Sequence, residues 1–199
     1  MKMKKYIIHD TLEAYIKEGD KEYFFGLTTG GNISRAVTQE QLRAGIHNKI
    51  FAVLSVDDGM TFSVTTGLHY RDVYELQTGQ KFEPSTELTV HEVKELPDGT
   101  LEVNEKTTLA GDVLEFKSSS LPRIVDAQLK TIAYDKDTNK VVADIYYVFP
   151  KSQPDGNLNE DFNAGTNQTQ EINFTVLADE NDSYGKIMII PRDQSDAGV

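Results

Sequence analysis

The sequence contains no cysteine and no tryptophan among its 199 residues. The absence of cysteine excludes disulfides, thiolate zinc sites, iron–sulfur clusters and cysteine nucleophiles. No stretch approaches the roughly 20 apolar residues of a membrane-spanning helix. The apolar run near the start, Tyr6 to Ile8, is too short for the core of a signal peptide. We therefore expect no targeting segment, and a protein that is made in, and stays in, a cytoplasm unless the cell is lysed.

Basic residues are scarce. Twenty Lys and Arg stand against 32 Asp and Glu, a formal net charge of −12. This balance argues against nucleic-acid binding through a basic face, because phosphate contacts need clustered Lys and Arg. Residues 1–50 carry eight basic and six acidic side chains, a net charge of +2. The remainder is acidic: residues 51–154 carry ten basic and 17 acidic side chains, and residues 155–199 carry two basic and nine acidic side chains, a net charge of −7 in each part. The uneven distribution fits either solvated acidic loops that keep a monomer soluble or head-to-tail contact between copies.

Apolar and polar residues alternate with a period of two in several segments. Met60, Phe62 and Val64 alternate with Thr61, Ser63 and Thr65, and the same pattern occurs at 125–130 and 172–176. Such alternation predicts strands with one buried and one solvated face, as in antiparallel sheets. The run 141–149 is apolar on both faces, which predicts a central strand covered on both sides. Further strands are predicted at 22–27, 86–93, 100–103, 112–117 and 183–190.

Two helices and one long loop complete the predicted architecture. Thr38 and Gln41 form a capping box for a short helix that ends near Gly45. A second helix is predicted from His69 to Thr78, followed by Gly79. Residues 150–168 lack periodicity and predict a long exposed loop, and residues 191–199 a flexible tail. We predict a single domain over 1–199, mainly β, with two packed antiparallel sheets (a β-sandwich or partial barrel) and one or two flanking α-helices.

The sequence contains none of the common catalytic or ligand-binding motifs. The four histidines lie at positions 9, 47, 69 and 91, without the spacing of a metal site. Asp135-x-Asp137-x-Asn139 resembles the first half of a calcium loop, but Lys140 occupies the position that needs glycine, so a hairpin turn is favoured. Adjacent carboxylates on a strand point to opposite faces and do not converge on one bond. We therefore expect no enzymatic activity, no metal and no cofactor.

One short element is typical of a known family. The residues concerned are Glu40, Arg43, Gly45, Asn48 and Lys49, followed by the Thr-rich strand at 60–65 and the helix that ends at Gly79. This order resembles the N-terminal half of bacteriophage major tail (tail tube) proteins, in which a Glu-x-x-Arg-Gly-Gly-x-x-Asn-Lys element often precedes such a strand and helix. Ala44 replaces one usual glycine. The segments 154–157, 171–177 and 184–187 add a looser similarity.

The resemblance implies a structural role in the virion tail. In that family six copies form a ring, strands of each copy join an inner β-barrel, and stacked rings form the tube that conducts DNA. It implies assembly in the host cytoplasm, contact with further copies and other tail proteins, and passage of DNA without specific binding. The implied lumen-facing candidates are Thr61, Ser63, Thr65, Asn173 and Thr175, although the same face also suits an outer solvent face. The implied subunit and ring interface candidates are Glu40, Arg43, His47, Asn48, Lys49, Asp155, Asn157 and Asp161.

Other functions remain open at this stage. The chain also fits a capsid decoration protein or another non-enzymatic β binding module, a β enzyme with an unrecognised site, or a ring-forming tail terminator. The predicted helix–strand–helix order at 38–79 and the long loop favour the tube subunit. A decoration module would more often show an immunoglobulin-like series of strands with no helix between them.

Overall fold

The computed structural model describes residues 6–8, 13–25, 28–44, 49–67, 71–108, 110–158 and 169–192. These residues form thirteen strands and one helix, α1 (Arg71–Thr78). The strands are β1 (Tyr6–Ile8), β2 (Glu13–Glu18), β3 (Lys21–Phe25), β4 (Thr28–Ala44), β5 (Lys49–Thr66), β6 (Glu83–Ser85), β7 (Leu88–Glu95), β8 (Leu101–Thr108), β9 (Gly111–Val113), β10 (Val125–Asp135), β11 (Val141–Pro154), β12 (Gln170–Val176) and β13 (Lys186–Pro191).

Nine of the strands form one antiparallel sheet. Its order is β3-β2-β10-β11-β12-β5-β4, with β1 paired to β10 and β13 paired to β11. Strands β12 and β13 share one side of β11, because β12 pairs with residues 152–154 and β13 with residues 143–148. Two separate hairpin ladders, β6-β9 and β7-β8, complete the pairing among the described residues.

The core lies on one face of the large sheet. Phe25 of β3, Leu129 of β10, Phe62 of β5 and Phe174 of β12 belong to one buried cluster, although β3 and β5 are near opposite ends of the strand order. Helix α1 has eight residues and is only about 12 Å long, too short to cover seven strands. The sheet therefore curls so that its own strands enclose the core, a sandwich-like arrangement, and β3 and β4 do not pair to close it. The predicted mainly β class with packed antiparallel layers and a flanking helix is confirmed.

A bulge in β11 helps the sheet to curl. Ala127 pairs with Phe149 but Val125 pairs with Ser152, so β11 contains an extra residue opposite β10 near Pro150. Phe149 and Ser152 are both buried even though they are three positions apart. A bulge of this kind bends a strand and changes which positions face inward. Strand β11 is central, as predicted, but its outer face is only half-buried at positions 142, 144, 146 and 148.

Helix α1 packs its apolar side on the core and ends as the sequence predicts. Val73 and Leu76 are buried. The N–H of Gly79 donates to the carbonyl oxygen of Glu75 at 2.9 Å, and Gly79 has a φ of +67°. A Cβ at Gly79 would lie 2.4 Å from the carbonyl oxygen of Leu121, so this position requires glycine both for its backbone conformation and for space. The helix is confirmed over Arg71–Thr78, and residues 69–70 lie outside the described residues.

The predicted helix at 38–45 is wrong. Residues Thr28–Ala44 form β4, which pairs with β5 over its whole length. The capping-box pattern is a local signal worth about 1 kcal/mol. It is outweighed here because the segment pairs with β5, whose Ile50, Val53 and Val56 are β-branched residues that favour extended pairing. The result is a long two-stranded hairpin where a short helix was expected.

The predicted loops and strands are partly displaced. Strand β11 continues to Pro154, so the irregular segment begins at Asp155 and not at residue 150. Residues 159–168 of the expected loop and residues 193–199 of the expected tail lie outside the described residues. The strand predicted at 112–117 is only the short β9. Helix α1 is eight residues long, and the described ranges contain no helix with the length and apolarity needed to cross a membrane.

Candidate assembly surfaces

The five residues predicted for a lumen lie on one face of the sheet. Thr61 pairs with Thr175 and Ser63 with Asn173 across β5 and β12, and Thr65 pairs with Glu171. Strand β4 extends the same rows, because Ser34 pairs with Thr61 and Asn32 with Ser63. All of these side chains are exposed or half-exposed. We call the surface formed by Asn32, Ser34, Thr61, Ser63, Thr65, Asn173 and Thr175 the polar strand face.

The opposite face of the same strands is mainly apolar, with the buried polar pair Thr66 and Gln170 at one end. Phe62 stacks on Phe174 at 4.4 Å and on Phe149 at 5.0 Å between ring centroids. Val64 and Ile172 are buried beside them. This packing fixes the register, because a shift of one residue would bring every polar side chain into the core. The polar strand face is therefore held rigidly by the core behind it.

Beyond the polar strand face, β4 and β5 continue as a two-stranded ribbon. We call residues 37–44 and 49–57 the long arm. Nine residues of β5 in the arm span about 30 Å at the usual strand rise. Glu40 and Arg43, two predicted interface residues, lie on this arm and are exposed. Lys49 belongs to its β5 strand, whereas His47 and Asn48 lie outside the described residues.

A bulge marks the base of the long arm. Ala36 pairs with Gly59 but Val37 pairs with Asp57, so Asp58 is the extra residue. Gly59 has a φ of +103°, and its N–H donates to Oδ1 of Asp57 at 3.1 Å. Nη2 of Arg35 lies 2.5 Å from Oδ2 of Asp57, and this hydrogen bond together with the N–H of Gly59 lowers the pKa of Asp57. Thr38 also hydrogen-bonds to Asp58 across the bulge.

The long arm exposes apolar side chains to solvent. Val53, Leu54 and Val56 are each about half exposed, at 52%, 49% and 57%. The pairs Thr38–Val56, Glu40–Leu54 and Leu42–Ala52 place one apolar column on a single face. A soluble monomer seldom presents so many apolar residues on one projecting element. The arm therefore has the character of a contact surface.

A second hairpin projects in the same manner. We call β7 and β8 the short arm; within the described residues these strands pair only with each other. Val93 pairs with Val103 and both are exposed, at 58% and 61%. Five acidic and two basic residues between 88 and 108 give this arm a net charge of −3. An isolated two-stranded ribbon is only marginally stable in water, so packing against another molecule would support it.

Strand β13 forms a third exposed apolar surface. Ile187 and Ile189 pair with Tyr147 and Ile145, on the side of β11 that faces the core, yet they are 63% and 49% exposed. We call these two side chains the isoleucine surface. A groove of about 380 Å³ adjoins it, lined by Met60, Phe149, Tyr184 and Ile187 together with Arg35, Asp182 and Lys186. Within the described residues, the outer edge of β13 has no paired strand.

The two other described interface candidates lie after β11. Oδ1 of Asp155 accepts the N–H of Asn157 at 3.0 Å, which closes a small turn. The carbonyl oxygen of Asn157 accepts Nε2 of Gln77 at 2.7 Å. Both residues are exposed, and Asp161 lies outside the described residues. Gln77, buried at 1% exposure, was missed by the sequence reasoning because helical position alone does not show that a glutamine is buried.

The acidic turns use their carboxylates to hold their own backbone. Oδ1 of Asp135 accepts the N–H groups of Asp137 and Thr138 at 3.0 and 2.9 Å, and these hydrogen bonds lower the pKa of Asp135. Asp179 holds the turn before β13 in the same way. The described residues contain no group of three or more His, Asp or Glu that is arranged to hold a metal ion. Residues 135–140 form the hairpin turn between β10 and β11, in which the N–H of Asp135 donates to the carbonyl oxygen of Lys140 and the N–H of Asn139 to that of Asp135, each at 2.9 Å.

Comparison with known proteins gives two matches. A family model described as the YomU/Tube protein family matches residues 78–190, more than half of the chain. A protein named "Tail tube protein" from Bacillus phage SPR is 24% identical over 243 residues, covering 97% of this chain and 92% of that protein. These matches confirm the resemblance to phage tail tube proteins. The family match covers the later part of the chain, beyond the Glu40–Lys49 element that first indicated it.

Proposed function

Because the chain belongs to the YomU/Tube protein family, we propose that it is a structural subunit of a phage tail tube. Its place is then the tail of the virion, after assembly in the host cytoplasm. Its partners are further copies of itself and other tail proteins. Its role is structural: copies of the subunit form the wall of the tube, and no catalysis is involved.

The observation that carries this proposal is the long arm. A projecting ribbon with half-exposed Val53, Leu54 and Val56 is suited to contact between subunits. The sheet also ends in strands β3 and β4 without closing, and β13 has an unpaired outer edge among the described residues. Free strand edges favour uncontrolled pairing, which natural proteins avoid by covering or closing them. A closed ring of copies satisfies every such edge in the same way.

We propose that six copies form each ring and that rings stack into a tube that conducts DNA. The polar strand face supports this arrangement as the lining of the bore. Its side chains are hydroxyls and amides, with Glu171 adjoining Thr65. Such a surface offers no basic cluster to bind phosphates, so DNA passes without adhering. On this proposal, Glu40, Arg43, Asp155 and Asn157 lie in contacts between subunits or rings.

Electron microscopy tests this function directly. The purified chain is first sized by light scattering and then imaged in negative stain at high concentration, with and without short preformed seeds. We expect stacked rings or tubes with six-fold symmetry. A species that stays monomeric even with seeds would overturn the proposal in favour of a decoration or binding module. Single rings that never stack would favour a tail terminator.

A further inference from the structure

The long arm begins at the point where β5 loses its neighbour β12. Met60 is paired on both sides, with Val176 of β12 and with Arg35 of β4. From Gly59 towards the arm, the described part of β5 pairs with β4 alone. The arm is therefore a branch of the large sheet, and the branch point lies between Met60 and Gly59.

Strand β13 occupies the position in which an unbent β5 would find its next neighbour. Strands β12 and β13 both run antiparallel to β11 and lie on the same side of it. Strand β13 therefore continues the row of β12 in the direction in which β5 leaves the sheet. The described residues show no pairing between β5 and β13. The groove of about 380 Å³ lies here instead, lined by Arg35 and Met60 of the β4–β5 ribbon and by Lys186 and Ile187 of β13.

The bulge at the base of the arm lies directly at this branch point. A bulge bends the strand that contains it and increases its twist. Gly59 has a φ of +103°, a conformation that favours glycine. Asp57 is hydrogen-bonded to Nη2 of Arg35 at 2.5 Å and to the N–H of Gly59 at 3.1 Å, and the extra residue Asp58 to Thr38. Side chains of both strands therefore hold the bend.

These contacts contribute little to the stability of a single copy. The side chains of Arg35 and Asp57 are 59% and 34% exposed, and exposed ion pairs are weak. The bulge leaves Asp58 outside the ladder, and the bend leaves the outer edge of β13 unpaired among the described residues. Natural proteins usually cover or pair such edges. A bend that opposes pairing, and that both strands nevertheless hold, points to a role outside the single copy.

We propose that the bulge is a conformational device that turns the long arm away from β13 and keeps the arm free to contact a second copy. The inference rests on the proposed tube function and concerns how one copy is prepared for assembly. Without the bulge, β5 would run beside β13, and the hydrogen-bonding groups of both edges would be satisfied within one copy. The bulge thus favours assembly and opposes pairing within the free subunit.

Deletion of Asp58 tests this role with little change to the arm. The pairs Ala36–Gly59 and Val37–Asp57 then become successive, so the arm residues keep their partners and faces while the bend is removed. We expect the deletion to raise the protein concentration needed for assembly at least about tenfold. The urea midpoint of the free subunit should not fall below that of Asp58→Asn. This matched control removes the same charge but retains the bulge, and it should assemble as the wild type does.

Distances between nitroxide labels follow the arm directly, because the chain contains no cysteine of its own. Ser55→Cys on the arm and Ile190→Cys on β13 place the labels at two exposed positions. Double electron–electron resonance of the free subunit then measures their separation. We expect a shorter and narrower distance distribution after deletion of Asp58, and no change for Asp58→Asn. An unchanged distribution in the deletion variant would overturn the proposal, whatever the effect on assembly.

Gly59→Ala gives a second variant in which the chain keeps its length. Alanine is strained at a φ of +103°, so this variant should shift the distances and the assembly in the same direction as the deletion, but by less. Assembly of the deletion variant at the wild-type concentration, or a urea midpoint below that of Asp58→Asn, would overturn the role of the bulge and leave the tube function intact. The label distances test the bulge even if the wild type forms no rings or tubes, an outcome that would overturn the tube function instead.

Discussion

The side-chain nitrogen Nε2 of Gln77 lies 2.7 Å from the carbonyl oxygen of Asn157 and 3.1 Å from that of Glu171. Both N–H groups of this buried amide are therefore used. The two acceptors stand on either side of the segment 158–170, so helix α1 is hydrogen-bonded to the chain before and after most of the long loop that the sequence predicts at 150–168. Helix and loop are linked by one side chain, and stability and assembly should respond together when it is changed.

Replacement of Gln77 by methionine should destabilise the fold. Methionine has a similar shape but no N–H donor, so the carbonyl oxygens of Asn157 and Glu171 lose this partner. We expect the free energy of unfolding to fall by about 1–3 kcal/mol, measured by urea denaturation followed by circular dichroism. Gln128→Met, at a half-exposed position on β10, is the control and should cost much less. Equal losses would show that the hydrogen bonds of Gln77 are not the cause.

Two glycines with positive φ should differ in their tolerance of alanine. Gly79 and Gly99 have φ values of +67° and +79°. A Cβ at Gly79 meets the backbone of Leu121, whereas a Cβ at Gly99 meets nothing within 4 Å. Both substitutions should lower the free energy of unfolding by about 1–2 kcal/mol, because alanine is strained in the left-handed backbone conformation. Gly79→Ala should cost about 1–3 kcal/mol more because of overpacking, measured as the difference in thermal unfolding. Equal costs would contradict the close approach of α1 to Leu121.

Tyr23 should make the protein sensitive to alkali. Burial, followed by its hydrogen bond to Glu18 at 2.9 Å, raises the pKa of Tyr23 from 10.0 to about 12. The stability linked to its neutral form is complete below pH 10 and is lost as the pH rises through about 12, because the unfolded chain ionises first. Urea midpoints from pH 8 to 12 should fall less steeply for Tyr23→Phe than for the wild type. A slope for Tyr23→Phe equal to that of the wild type would contradict this role of Tyr23.

Several elements of the fold follow from short-range sequence patterns. Alternation at 60–65 and 172–176 correctly identifies which residues are buried, because a strand with one wet face repeats every two residues. Gly79 correctly marks the end of α1. The capping box at Thr38 fails because pairing with β5, which begins after residue 44, outweighs a local preference. The bulge at Asp58, where the inward and outward positions of β5 exchange, could not be predicted either, because a bulge depends on how the two strands pair.

The candidate surfaces depend on long-range pairing, which the sequence does not reveal. Thr61 and Thr175 are more than a hundred residues apart and become neighbours only because β12 pairs with β5. The alternation within each strand predicts that one of its faces is polar, but it does not predict that the polar faces of β5 and β12 lie side by side. The exposure of Ile187 and Ile189 is equally hidden, because an alternating or apolar strand is normally expected to be covered. Surfaces built from several strands therefore emerge only with the topology.

Restricted chemical access should reveal which way the polar strand face points. Thr61 and Thr175 are exposed neighbours, and the chain has no other cysteine to react. If this face lines the bore, Thr61→Cys should react with a bulky polyethylene glycol maleimide at least about tenfold more slowly in tubes than as free subunit, because the reagent must enter through the tube ends. A small maleimide should label both forms, which controls for burial of the thiol in a protein contact. Equal rates with the bulky reagent would place Thr61 on the outer wall of the tube.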